Sequence, residues 1–302
     1  METIKKIILS HKILYEIYFL LSGKKINKKR LNRKINKLQK KSIKNKKTID
    51  KLIISLTSYG ERINDLKYTL YSLLAQTIHP EKIIVWLAYK EIVPEELNVF
   101  KQLGVEFQFC EDTKSYKKLI PALKNYQNYC IVTTDDDIYY KRNWLKKIWK
   151  FHLRYPNIKI THTAHIVGFY NNDSMQPYKK WKHNINKTFP GKNIFPTGCG
   201  GILYPPCEIQ DLFLNSDIFM NICPNADDIW FYFMGIFSGQ KTMVVSHPHN
   251  HLKYVDIYKE YGLNGNSSLQ ILNVNHNQND TQFLNVLNFF NLSVKDFYEL
   301  IK

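Results

Sequence analysis

The chain has 302 residues, 44% of them hydrophobic, so it can bury a substantial core; this length fits one large α/β domain with an appendage better than several small domains. The formal charge of +17 is unevenly placed: residues 1–51 carry 17 Lys and Arg against Glu2, Glu16 and Asp50, net +14, so the nearly neutral body argues against a nucleic-acid binder. The five cysteines form no C-x-x-C pair and no cleavable signal peptide precedes them, which fits a reducing cytoplasmic setting.

The first apolar run, from about Lys5 to Leu21, is interrupted by Lys12 and Glu16 and is too short and too charged to span a bilayer. From Lys24 to Lys47 there is no acid, and Leu31, Ile35 and Leu38 recur at helical spacing. Residues 1–48 are therefore expected to form a basic amphipathic helical extension. An anionic membrane surface attracts such a segment by about 1 kcal/mol per nearby cation, so peripheral association is expected; a solvated or coiled-coil helix is the other reading.

Residues 49–302 are expected to form the catalytic domain. Strand and helix signals alternate there: strand Leu52 to Leu56, turn Thr57 to Gly60, helix Asn64 to Gln76, strands Lys82 to Leu87 and Val105 to Phe109, helix Ser115 to Tyr126, strand Tyr129 to Thr134. This predicts a doubly wound α/β sheet. Next come helix Asn143 to His152, strand Ile158 to His162, and a stretch of little periodicity from Val167 to Phe195. Gly200-Gly201 leads into strand Ile202 to Tyr204, Pro224 opens a helix, and Lys241 to Val245 is a last strand. Asn264 to Asp280 reads as a loop, and Thr281 to Phe290 as a closing helix.

The fourth strand delivers Asp135-Asp136-Asp137 at its C-terminal end, where open α/β sheets bind ligands. Three consecutive carboxylates repel one another unless a cation or hydrogen-bond donors neutralise them. In an extended chain Asp135 and Asp137 share a face and reach one ion, while Asp136 points elsewhere. Oxygen ligands favour Mn²⁺ or Mg²⁺, which bind substrate phosphates at their open positions.

The order of these motifs, over approximately Lys51 to His251, resembles the GT-A glycosyltransferases, and bacterial family 2 enzymes in particular: strand, Ser/Thr-Tyr-Gly loop, two β-α units, D-x-D strand end, Gly-Gly strand, acidic pair on a helix. The resemblance implies a GT-A, Rossmann-like mixed sheet in one catalytic domain. It implies a nucleotide-diphosphate sugar donor, such as a UDP-sugar, and a glycan or lipid-linked acceptor in surface polysaccharide or lipopolysaccharide synthesis. Asp135, Asp136 and Asp137 would then serve the ribose and the metal-bound diphosphate, and the first loop, Thr57 to Arg62, with Thr57, Tyr59 and Arg62 foremost, would line the nucleotide site. Asp227-Asp228 is similar to the family's Glu-Asp pair, with Asp in place of Glu, which implies Asp228 as general base of an inverting reaction. Without the resemblance the pair reads as first-turn acids favouring the helix dipole. A late histidine on the metal implies His249.

Other residues keep two readings. Asp112 either contacts base or ribose or caps the helix before Lys114. Lys114, Lys117 and Lys118 either support the diphosphate or lie on a solvated helix face. Gly200 and Gly201 either let backbone approach the donor sugar or permit a tight turn. Trp181 either stacks on a sugar or packs in the core. Two rival functions remain: a nucleic-acid binder through the basic tail, although a triple-Asp strand end repels phosphate, and a metal-dependent nucleotidyl- or phosphotransferase, although no Gly-Lys-Ser/Thr phosphate loop is present.

Overall fold

The computed structural model describes residues 26–38, 48–186, 188–245, 252–255 and 277–302. Helix α1 (Lys28–Leu38) precedes β1 (Thr48–Thr57), α2 (Leu66–Leu74), β2 (His79–Ala88), α3 (Asn98–Gln102), β3 (Val105–Cys110), α4 (Ile120–Asn125) and β4 (Cys130–Thr134). Then follow β5 (Ile138–Tyr140), α5 (Trp144–His152), β6 (Lys159–Thr161), β7 (Ala164–Ile166), β8 (Phe169–Asn171), β9 (Ser174–Met175), β10 (Ile194–Pro196) and β11 (Ile202–Tyr204). The chain closes with α6 (Ser216–Ile222), α7 (Asp227–Phe237), β12 (Thr242–Val244), β13 (Leu252–Tyr254), α8 (Gln278–Phe289) and α9 (Val294–Ile301).

The expected doubly wound mixed sheet is present, with seven strands in the order β12-β6-β11-β4-β1-β2-β3. β1 pairs in parallel with both β2 and β4, its Leu56 lying opposite Val85 on one side and Thr134 on the other. The strand order therefore reverses at β1, and such switch points open a crevice at the C-terminal strand ends. β11 runs antiparallel to β4 with Ile202 opposite Thr133, so the loop before β11 is delivered beside the residues that follow β4.

Two cores explain why the parallel strands read as unbroken apolar runs: both faces of the sheet are covered. Leu52, Ile54 and Leu56 of β1 face one cluster with Leu66, Leu70 and Trp144, while Ile53 faces another with Trp230, Phe233, Phe283 and Phe297. Side chains alternating across the strand place them so.

Helix α1 packs on this body. Leu31 and Ile35 join the first core and Lys28 Nζ lies 2.9 Å from Asp65. Its apolar stripe thus faces protein and is not offered to lipid, while Lys29, Arg30, Arg33, Lys34 and Lys37 remain exposed. Among the described residues no helix is long and apolar enough to cross a membrane.

Several expected elements shift. The helix over Ser115 to Tyr126 is a 3-10 turn, Lys114–Lys118, followed by α4 with a proline in its first turn. The aperiodic stretch before Phe195 holds three short strands, whose few residues leave no period to read. Gln278 to Asp280, expected in a loop, begin α8; residues 264–276 of that loop lie outside the described residues, as does His249.

Candidate active site

The residues after β4 separate as the alternation argument requires. Asp136 turns inward and is 5% exposed. Ser58 Oγ donates to its Oδ2 at 2.6 Å, and Arg62 Nε donates to its Oδ1 and Oδ2 at 3.1 and 3.0 Å. Arg62 Nη2 reaches across to Asp137 Oδ2 at 2.7 Å. Thr69 Oγ1 fixes the backbone by donating to the carbonyls of Asp136 and Ile138, at 2.7 and 2.9 Å. The Asp135 N–H donates to Tyr140 Oη at 3.0 Å. Asp135 and Asp137 keep 28% and 27% of their side chains exposed.

The second acidic pair opens α7 and meets the first through Lys118. Lys118 Nζ lies 3.1 Å from Asp135 Oδ1 and 3.0 Å from Asp227 Oδ2, with its side chain 7% exposed. Ser115 Oγ donates to the other oxygen of Asp227 at 2.8 Å. Asp228 accepts the Gly198 N–H on Oδ2 at 3.0 Å. Its Oδ1 is shut from solvent and accepts no hydrogen bond among the described residues. A Cβ at Gly198 would lie 2.7 Å from Lys118 Nζ, 3.2 Å from Asp228 Oδ1 and 3.5 Å from Asp135 Oδ1. Two carboxylate groups from different elements thus converge on one residue that has no side chain.

Charge in this crevice is crowded. Burial pushes Asp137 up to about 6; the Arg62 guanidinium opposes this and the neighbouring aspartates add to it. Burial likewise lifts Asp228 to about 7 against the pull of Lys118 and Gly198 N–H, with Asp227 and Asp135 adding to the rise. Burial also works against the Arg62 and Lys118 charges, yet their aspartates hold both well above the usual range.

Among the described residues no group of three or more His, Cys, Asp and Glu side chains is arranged to hold a metal ion. The donor set nonetheless suits a hard divalent cation: Asp135 and Asp137 are the partly exposed carboxylates that could hold it, beside half-buried Arg62 and buried Lys118. Mn²⁺ or Mg²⁺ with few protein ligands and several open positions fits that pattern.

Arg62, expected to line the nucleotide site, pairs with Asp136 and Asp137, and Asp136 is held by Arg62 and Ser58. Thr57 Oγ1 donates to Trp86 O at 2.8 Å. Tyr59 stands 53% exposed with Arg62 5.6 Å from its ring centre. Lys117 is buried and pairs with Asp112, whose carboxyl Lys117 and then Lys90 hold below the usual range; Asp112 Oδ1 also accepts the Lys114 N–H at 3.3 Å, as the capping reading expects. Gly200 and Gly201 serve packing: a Cβ would lie 2.4 Å from Thr163 Oγ1 at the first and 2.4 Å from Trp144 Cζ2 at the second, where φ is +77°. Trp181 is 4% exposed, donates to Gln176 O at 2.9 Å and packs on Phe195 and Phe283, so it offers no face to a sugar.

Lys118 was expected only beside Lys114 and Lys117, and Ser58 only within the loop Thr57 to Arg62, while Gly198 and Ser115 of the site were not singled out by sequence. The one signal for Gly198 is its place in Thr197-Gly198-Cys199-Gly200-Gly201, beside the pair chosen instead.

No family model matches the chain. No curated protein matches it. Among solved structures it is similar to S. aureus TarS 1-349, with 14% identity and a TM-score of 0.46 over 79% of this chain and 72% of that chain.

Proposed function

We propose that the chain is a metal-dependent GT-A glycosyltransferase that moves a sugar from a nucleotide-diphosphate sugar, a UDP-sugar in the first instance, to a glycan or lipid-linked glycan acceptor of the cell surface. The observation that carries this proposal is the meeting of Asp135 and Asp228 across Gly198 at the C-terminal ends of the sheet strands. A leaving diphosphate needs positive charge on one side of the anomeric carbon, and an attacking hydroxyl needs a base on the other.

Asp135 and Asp137 would hold Mn²⁺ or Mg²⁺, with His249 as a further ligand. When bound, the ion supplies charge neutralisation for the departing diphosphate. The Asp228 carboxylate takes the proton of the acceptor hydroxyl as its oxygen bonds to the anomeric carbon, and the bond from that carbon to the diphosphate oxygen breaks with inversion. The N–H of Gly198 holds the other oxygen of Asp228, which aims the base. The exposed cations of α1 would rest on an anionic cytoplasmic membrane surface, bringing a lipid-linked acceptor within reach.

A donor screen tests the assignment: thermal stabilisation and release of UDP or another nucleoside diphosphate, measured for a panel of nucleotide sugars with Mn²⁺. One donor should stabilise the protein and be consumed. Stabilisation by none of them, with no consumption, would overturn the assignment.

A further inference from the structure

We propose that Lys118 is a positioning residue that ties the donor-side carboxylate Asp135 to the acceptor-side pair Asp227-Asp228, with Gly198 keeping the space in which the tie is made. Its functional half rests on the glycosyltransferase reading; the tie itself does not.

The 3-10 turn Lys114–Lys118 lies between two elements that arrive from distant parts of the chain, the end of β4 and the start of α7. Its last two residues point opposite ways. Lys117 turns to Asp112, and Lys118 turns into the crevice to contact Asp135 and Asp227 at 3.1 and 3.0 Å. The turn is anchored behind: Ser55 Oγ of β1 donates to the Lys118 carbonyl at 2.6 Å, and Trp86 Nε1 donates to Ser55 Oγ at 3.0 Å. Ser115 of the same turn holds the second oxygen of Asp227. One short segment therefore sets the distance between the two acidic groups.

Without the ammonium, Asp135 and Asp227 have like charge and no buried counter-ion between them, so the strand end and the helix start would be driven apart. With it, a shift on the donor side is felt on the acceptor side. A group that acts through two others in this way alters the chemical step more than ground-state donor binding. Gly198 is the test position that changes no charge. A methyl there meets Lys118 Nζ at 2.7 Å and Asp228 Oδ1 at 3.2 Å, so the ammonium must move.

The experiment has two arms. The first measures melting temperatures of K118M, D135N, D227N and the doubles K118M/D135N and K118M/D227N in the full chain. Each double should lose clearly less than the sum of its singles, because the second substitution removes the charge the first left unpaired. A K118M that unfolds alone but folds with D227N is the same result in stronger form. Additive losses overturn the tie, whatever the protein's substrate.

The second arm measures G198A: affinity for UDP with Mn²⁺, and KM and kcat with the nucleotide sugar consumed by the wild type. Binding and donor KM should move by less than about threefold while kcat falls about tenfold or more. Wild-type kcat in G198A overturns the positioning role. A wild type that binds no UDP and consumes no nucleotide sugar defeats the glycosyltransferase reading and the positioning role together, leaving the melting cycle to decide the tie.

Discussion

Gly198 donates its backbone N–H to Asp228 Oδ2 at 3.0 Å, joining the loop before β11 to the first turn of α7. That bond satisfies one oxygen of Asp228 and leaves Oδ1 without a hydrogen-bond partner among the described residues.

Asp228→Asn should therefore bind UDP with Mn²⁺ as the wild type does and lose about 10²–10⁴-fold in turnover, while Asp227→Asn loses less. A base must be deprotonated to act, so wild-type turnover should fall as pH drops below about 7, the value to which burial lifts Asp228. Stopped assays across pH 5 to about 9 read this directly. A flat profile with an active Asp228→Asn would remove the base from this residue.

Neighbouring aspartates should behave differently. Asp136 is enclosed by Ser58 and Arg62, so Asp136→Ala leaves the Arg62 charge short of its main partner and should cost about 3 kcal/mol of stability, read by chemical denaturation. Asp137 is 27% exposed, so Asp137→Asn should melt near the wild type yet weaken binding of Mn²⁺ with UDP by about tenfold or more, read by calorimetry. Equal effects on stability and binding at both positions would deny this division of labour.

How much of this the sequence disclosed depends on the range of the contacts. β1, β2 and β4 were legible because a strand covered on both faces is an apolar run, and Asp135 and Asp137 because side chains alternate along an extended chain. Lys117 and Lys118 were not separable: they are adjacent in a 3-10 turn, and only the partners brought by β4 and α7 decide which one enters the crevice. For the same reason Gly198 could not be told from Gly200 and Gly201, whose missing side chains make room for Thr163 and Trp144. Arg62 reads as a basic loop residue until the bend after β1 carries it onto Asp136, a contact 74 residues apart in sequence.

Helix α1 sets where the basic segment can be cut. Ile26, Leu31 and Ile35 are all at most 7% exposed and belong to the first core. Deleting residues 1–47 should lower the melting temperature of the full chain by about 5 °C or more, since each buried aliphatic side chain contributes about 1.5–3 kcal/mol. Thermal melts of the full chain and the truncation check this. Equal melting temperatures would show that α1 adds nothing to the domain.

Lys159 offers a test of electrostatics away from the crevice. Its side chain is buried, and Gly235 of α7 makes room for it: a Cβ there would lie 2.0 Å from Lys159 Nζ. Burial pulls the ammonium down to about 7 from 10.5, with the nearby Cys207 opposing only weakly. Because the folded value is depressed for a cation, the unfolded chain holds more protons than the native one between pH 7 and about 10.5, so stability rises as pH climbs through that window and the penalty is full below it. Lys159→Met keeps the length and removes the charge, giving up a contact 5.9 Å from the Tyr232 ring centre. It should stabilise the protein at pH 7 by about 1–3 kcal/mol, a rise of about 2–5 °C in melting temperature, with the advantage shrinking towards pH 10. Melts of both proteins at pH 6, 7, 8.5 and about 10 give the difference curve. A Lys159→Met protein less stable than the wild type at pH 7 would mean that the buried ammonium is held by partners worth more than its desolvation.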